Sequence, residues 1–266
     1  MTTTDPIRLC VAGATGRMGT ALLQEMGRRF VLSAAVTSAD NRNVGKRICD
    51  ISMSDCEVVL SPPGRLGELL DGCDVFVSFT NASVELVNAE AVAASGKPAV
   101  IGTTGFDEKQ SGRLASLLRR VPTVMASNFS IGANMLSSLA RELCRLPPTF
   151  DMSMIEAHHS KKLDSPSGTA RDLSKVIMRE RGYERVVNGR SGMSRREKEE
   201  LEVLSVRAGG IPGIHTILAA GDFESIRIEH TVFSRSSFAQ GALLAAAWVL
   251  GKPPGIYGMG KVLGLE

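Results

Sequence analysis

Ile7-Arg8-Leu9-Cys10-Val11-Ala12-Gly13-Ala14-Thr15-Gly16-Arg17-Met18-Gly19 decides how the first half of the chain is read. An apolar run of strand type ends in a glycine-rich turn. Met18, Ala21, Leu22 and Met26 then recur at helical spacing, so the turn joins a buried strand to an amphipathic helix beginning near Gly16. Small residues let the backbone of such a turn approach a pyrophosphate, and the helix N-terminus behind it stabilises the negative charge. The spacing is G-x-x-G-x-x-G, with Thr15 where the common dinucleotide fingerprint has its middle glycine. The bland alternative is a tight strand-to-helix turn that binds nothing.

Working outward, further strands are predicted at Phe30 to Val36, Asp74 to Phe79, Pro98 to Ile101 and Pro122 to Ala126, separated by amphipathic segments. That alternation is the pattern of an α/β domain with a parallel sheet covered by helices. From Asp151 the pattern changes to period two, as in Ile226, Ile228, His230 and Val232, and less cleanly in Leu201, Val203 and Ser205. This predicts a smaller α+β domain with an open, largely exposed mixed sheet. The helical segment Ser237 to Leu250, closed by Gly251 and Pro253, is expected to return to the first domain. The run Arg195 to Glu200 reads as a solvated loop or helix start.

The 266 residues carry 31 Lys and Arg against 28 Asp and Glu, a formal charge of +3, with 43% hydrophobic residues. The chain is long enough for two cores, and its charge is too even to imply nucleic acid. Cys10, Cys49, Cys56, Cys73 and Cys144 form no C-x-x-C pair, so they read as reduced thiols rather than zinc ligands. The start of the chain has neither a basic nor an apolar leader region. The longest apolar run, Ala242 to Leu250, is half of the ~20 residues a membrane helix needs. A cytoplasmic protein with no membrane partner is expected.

The second predicted strand ends Ala34-Ala35-Val36-Thr37-Ser38, with no carboxylate before Asp40. An acid there would hold the adenosine ribose and repel a 2′-phosphate. Hydroxyls at Thr37 and Ser38, with Arg17, Arg42 and Lys46 expected within reach, favour NADPH while leaving NADH possible. Gly102-Thr103-Thr104-Gly105 and Ala126-Ser127-Asn128-Phe129 follow two other predicted strands, at the edge where an open α/β sheet binds ligands, and are candidates for the nicotinamide end.

The segment Glu156-Ala-His158-His159-Ser-Lys-Lys162-Leu-Asp-Ser-Pro-Ser167-Gly168-Thr169 carries the second signal. Adjacent histidines on an extended chain point to opposite faces, and Lys162 returns to the site of His158 only if the chain turns. Core packing gains nothing from that arrangement, whereas a site that binds anions and delivers a proton does. Ser167, Gly168 and Thr169 open a helix carrying Leu173, Val176 and Ile177, a receptor for a carboxylate or a plain N-cap. No metal is expected, because adjacent imidazoles seldom meet one ion and His215 and His230 lie in separate predicted strands.

With these stretches in view, the chain resembles the dihydrodipicolinate reductases of lysine and diaminopimelate biosynthesis. The resemblance is carried by Gly13 to Gly19, Val100 to Phe106 (V-I-G-T-T-G-F), Asn128 to Asn134 (N-F-S-I-G-A-N), Glu156 to Ala170, Val206 to Gly209 and Ser234 to Ala242 (S-R-S-S-F-A-Q-G-A), in family order over nearly the whole chain. It implies a Rossmann-type dinucleotide domain of residues 1–128 and 236–266. Residues 129–235 would bind a small dicarboxylate substrate and support a homotetramer. The implied reaction is NAD(P)H-dependent reduction of 4-hydroxy-tetrahydrodipicolinate. Gly13, Ala14, Thr15, Gly16, Arg17 and Met18 would hold the pyrophosphate; Gly102 to Thr104 and Ala126 to Phe129 would line the nicotinamide pocket. His158 would donate the proton, Lys162 would act as second acid and substrate ligand, and His159, Ser167, Gly168 and Thr169 would bind substrate.

Thr37 stands where many family members have an acid, and Asn81 where a base often follows F-T. Leu201-Glu202 and Gly213-Ile214-His215 also depart from the family pattern. The implied substrate is a cyclic conjugated imine with two carboxylates, whose reduction needs charge stabilisation and a proton. An imidazole, with a reference pKa of about 6.5, would be charged near neutral pH beside a dicarboxylate; a lysine, at about 10.4, is the weaker acid. Another two-lobed dehydrogenase, or a sensor that binds the dinucleotide without turnover, would keep the glycine turn but has no need of the His-His-x-x-Lys segment.

Overall fold

The computed structural model describes residues 5–51 and 54–266; residues 1–4, part of the start read above for a leader, lie outside them. In chain order the elements are β1 (Ile7–Ala12), α1 (Arg17–Glu25), β2 (Phe30–Val36), β3 (Leu60–Ser61), α2 (Leu66–Asp71), β4 (Val75–Ser78), α3 (Ala82–Ser95), β5 (Ala99–Ile101), α4 (Glu108–Leu118) and β6 (Pro122–Met125). They continue as α5 (Ile131–Leu143), β7 (Asp151–His158), α6 (Gly168–Arg181), β8 (Arg185–Val187), β9 (Glu200–Arg207), β10 (Ile214–Ala220), β11 (Ser225–Thr231), α7 (Ser236–Val249), β12 (Gly255–Tyr257) and α8 (Met259–Leu263). They form two compact units, one running to Ile131 and resuming at Arg235–Glu266, the other Gly132–Ser234, against limits of 128 and 236 read from the sequence.

The first unit is built on a parallel sheet of order β12-β6-β5-β4-β1-β2-β3. Helices cover both faces, which is why its central strands are apolar without alternation: Leu9 to Ala12 and Val75 to Val77 are all buried. Leu9, Val11 and Leu22 pack with Ala242 and Ala246 of α7 on one face, and Cys10 and Phe76 pack with Ala89, Val92 and Leu114 on the other. Because all strands run the same way, the segments after β1, β4, β5 and β6 emerge along one edge. β3 and β12 are two and three residues long, too short for periodicity to reveal.

The second unit holds a mixed sheet of order β11-β10-β7-β9-β8, with β7, β8 and β9 parallel and β10 antiparallel to both its neighbours. Met152, Met154, Leu201, Val203 and Ile217 pack against Leu136 and Ala140 of α5 and Leu173 and Ile177 of α6. Leu204 and Val206, at alternate positions on the opposite face of β9, remain exposed.

The charged run at 195–200 is not simply solvated. Glu200 is buried as β9 begins, and Arg185 and Arg190 turn onto its carboxylate. Arg196 donates to the carbonyls of Met152 and Glu200 at 3.1 and 2.7 Å. A carboxylate drawn into a sheet needs cations and donors, and the nearest arginines supply them.

Candidate functional site

In the first unit the chain leaves β1 through Gly13, whose φ of 78° lies in the left-handed region. A Cβ at Gly13 would overlap the Phe79 carbonyl, and one at Gly19 would overlap the carbonyls of Gly13 and Ala14. Glycine at these two positions therefore sets the β1–α1 turn against the end of β4 and packs α1 onto that turn. Gly13 and Ala14 donate their N–H groups to Val36 O at 2.9 and 3.1 Å. Gly16 is the N-cap of α1 and has no side chain to compete for the helix's first N–H groups.

A cavity of about 450 Å³ opens beside this turn, lined by Gly13, Thr15 and Gly16, by Thr37 and Ser38 after β2, and by Asn81, Val84 and Asn88 from the α3 side. The Thr15 and Thr37 hydroxyls are 2.6 Å apart, and Asn41 Nδ2 donates to Thr15 Oγ1 at 3.1 Å, so Thr37 is buried and tied to the turn. No carboxylate lines the cavity, and neither do Arg17, Arg42 or Lys46; Lys46 donates to Asn43 Oδ1 instead. Asn88 is 1% exposed, and its Nδ2 has no hydrogen-bond partner among the described residues. A glycine cradle, an uncapped helix N-terminus and a buried amide donor lining a cavity fit a dinucleotide.

The segments after β4 and β5 are tied together by a buried acid. Ser78 Oγ and Thr80 Oγ1 donate to Glu85 Oε2 at 2.6 and 2.8 Å, and Thr103 Oγ1 donates to the same oxygen. Thr80 N–H donates to Thr103 Oγ1 at 2.9 Å. The Thr103 hydroxyl therefore faces protein, not a ligand as its place in the G-T-T-G loop suggests; Thr104 beside it is exposed. Burial pushes the Glu85 carboxyl above its ordinary value, and the hydroxyls offset this only in part. Phe129 is buried edge-on against Phe79, ring centres 5.7 Å apart, which fixes the segment after β6 beside the other two.

In the second unit, alternation along β7 puts Glu156 and His158 on the same buried face as Met152 and Met154, and His159, just past the strand's end, is half-buried. Glu156 is fully buried. Arg207, its near neighbour on parallel β9, donates to both carboxylate oxygens at 2.9 and 2.7 Å. His158 Nδ1 lies 2.5 Å from Glu156 Oε2, and Ser167 N–H donates to Oε1 at 3.2 Å. Burial alone would raise the Glu156 carboxyl, but hydrogen bonds from Arg207, Ser205 and His158 outweigh it and hold the group at about 2. With an ionised carboxylate against Nδ1, that nitrogen carries a proton and Nε2 is the one left to exchange.

Antiparallel pairing sets His215 of β10 opposite Glu156. Its Nε2 lies 3.0 Å from Ser167 Oγ, and its ring stands edge-on to His158 at 5.2 Å. Burial, with His158 as a lesser cause, lowers His215 to about 4, so its ring is neutral where it meets the Ser167 hydroxyl. Ser167 Oγ also caps α6 by accepting Ala170 N–H at 3.2 Å. Ser167 Oγ is thus held between His215 and the α6 backbone, and the backbone of the Gly168–Thr169 turn lies beside it. Lys162 folds back as its spacing requires, its N–H donating to His159 O at 3.1 Å and its ammonium lying 2.7 Å from Asp164. Burial lowers the His158 imidazole despite Glu156, contrary to the expectation of a charged ring; the raising dicarboxylate in that expectation is a ligand, not part of the chain. Among the described residues no group of three or more His, Cys, Asp or Glu could hold a metal.

Comparison with known proteins settles the family. The model for the N-terminal part of dihydrodipicolinate reductase matches residues 7–129, and that for its C-terminal part matches residues 132–263. The chain belongs to the dihydrodipicolinate reductase family. A 4-hydroxy-tetrahydrodipicolinate reductase of Thiobacillus denitrificans is 39% identical to this reductase over 98% of the chain and 99% of its own length; that of Methanoregula boonei is 38% identical over 97% and 98%. In fold the reductase matches dipicolinate-bound dihydrodipicolinate reductase from Paenisporosarcina sp. TG-14, with a TM-score of 0.75, 23% identity and coverage of 95% and 97% of the two chains.

Within each unit the structure brings the expected residues together: the Gly13 turn with Thr37 and Ser38, and His158 with the start of α6. Sequence reading passed over Glu85, Asn88, Glu156, Arg207 and His215. Their signals were present but weak. Glu85 and Asn88 are polar residues three apart in an apolar helix, and Glu156 continues the inward alternation of Met152 and Met154, where a buried carboxylate calls for a cation.

Proposed function

We propose that this reductase converts 4-hydroxy-tetrahydrodipicolinate to tetrahydrodipicolinate, with the dinucleotide held on the Gly13 turn and the substrate on the His158–Thr169 cluster. The observation that carries the reading is the Arg207–Glu156–His158 chain, which leaves a single exchangeable imidazole nitrogen next to the N-terminus of α6. A bound NAD(P)H supplies the hydride. The chain's own residues do the rest. The Gly168–Thr169 turn and the ammonium of Lys162 take the substrate carboxylates, using helix-end polarity and charge. His159, immediately after β7, is a further substrate contact. Glu156 fixes the His158 tautomer, and a substrate dianion offsets the burial that lowers this imidazole. A proton is therefore taken up at Nε2 as substrate binds and is delivered to the reduced ring.

Cofactor choice follows from the adenosine end of the cavity. With no acid to repel a 2′-phosphate, NADPH is favoured; with no arginine or lysine in the lining to grip it, NADH is accepted too. The exposed outward face of β9, carrying Leu204 and Val206, supports the homotetramer that the family resemblance implies, and light scattering on the purified protein checks it. The deciding assay follows loss of NADPH and NADH absorbance with substrate made in situ from pyruvate and aspartate semialdehyde by a coupled synthase. Turnover with both, and a higher kcat/KM for NADPH, is expected. A clear preference for NADH would overturn the cofactor reading. Cofactor binding without turnover would instead make the protein a dinucleotide sensor.

A further inference from the structure

We propose that Glu85 is a positioning residue for cofactor binding: its buried carboxyl gathers the hydroxyls of Ser78, Thr80 and Thr103 and so fixes the Gly102–Thr104 loop against the end of β4. The inference rests on the reading that this loop meets the nicotinamide end of the dinucleotide.

Three features carry it. The donors come from two separate segments, Ser78 and Thr80 from the β4 end and Thr103 from the β5 end, and Glu85 Oε2 collects all three. The network is closed by Thr80 N–H donating to Thr103 Oγ1 at 2.9 Å, so the backbone of one segment is pinned through the side chain of the other. Glu85 sits in the first turn of α3, where Asn81 caps the helix through Val84 N–H at 3.0 Å, and Asn81, Val84 and Thr80 line the dinucleotide cavity. The side chain thus lies directly behind the cavity wall without reaching the ligand itself. A core position would be filled at less cost by an apolar residue of similar volume, because Glu85 Oε1 is buried with no partner. Retaining an acid here makes sense if the hydroxyl-bearing loops must be held in one arrangement. Ordered loops spare a ligand the entropy of ordering them.

The test is a pair of routes to the same network. Glu85→Leu removes the common acceptor and is expected to raise the NADPH dissociation constant, read by fluorescence, about tenfold or more. Glu85→Gln keeps a carbonyl acceptor and should restore affinity to within about threefold of wild type. Should Glu85→Leu fail to fold, Thr103→Val cuts the network from the loop side and should weaken NADPH in the same direction. Affinity for dipicolinate without cofactor, which reports on the second unit, should be unchanged in every variant. In a double-mutant cycle, Thr103→Val should add little to Glu85→Leu if the two act through one contact. Folded variants that bind NADPH like wild type, or a Glu85→Gln no better than Glu85→Leu, would overturn the positioning role. Failure of the underlying reading looks different: wild-type protein itself would then bind neither dinucleotide.

Discussion

Two glutamates with no solvent exposure behave in opposite ways. Glu156 faces a guanidinium and an imidazole, and its carboxyl is held down at about 2; Glu85 faces only hydroxyls, and burial pushes its carboxyl up. Burial is the largest single influence on both and acts in the same direction. Partners decide the outcome. The ionised Glu156 orients the His158 ring, the proposed proton donor. Glu85, with no cation beside it, ties loops together where no charge is needed.

The strongest way to break this contrast is to remove the cation. Arg207→Met strands the Glu156 carboxylate in the sheet and should destabilise the protein by about 3–5 kcal/mol, read by urea unfolding. A loss under about 1 kcal/mol would mean that Glu156 does not depend on Arg207. Next in size is the reaction itself. His158→Gln should lower kcat about 10²-fold, equivalent to roughly 2.7 kcal/mol, with the fold intact; unchanged kcat removes His158 from proton delivery. By contrast, Glu85→Gln should change unfolding free energy by no more than about 1 kcal/mol, because an amide serves the same hydroxyls and no cation is stranded. A loss as large as that of Arg207→Met would mean that an amide cannot serve the three hydroxyls in place of the carboxyl.

The finest test is pH. The Glu156 carboxyl is depressed in the fold, so its contribution is present above the unfolded value of about 4.5 and is lost as pH falls toward about 2. The stability advantage of wild type over Glu156→Gln should shrink across that window. Glu85 is raised, so its sign is reversed: wild type should lose ground against Glu85→Gln as pH climbs above about 4.5. Parallel curves for the two pairs would erase the distinction.

How much was legible depends on whether a feature is local. The Gly13 turn, the first two strands and α1 could be read directly, because a buried parallel strand, a glycine-rich turn and a helical stripe are all written within a few consecutive residues. The extended face holding His158 and the helix start at Ser167 could be read for the same reason. Ser167 shows the limit: its residue type promised a hydroxyl at a helix start, and only the pairing of β10 with β7 brings His215 within 3.0 Å of it.

The sequence by itself determined the family, the two kinds of sheet and the residue types proposed to bind dinucleotide and deliver a proton, because periodicity and motif spacing are properties of the chain. Only the tertiary structure decided which charges survive burial. Arg207 lies fifty-one positions from Glu156, and Thr103 eighteen from Glu85. Strand register and helix packing alone bring them within hydrogen-bond reach, and at that range the partner outweighs the intrinsic chemistry of the side chain.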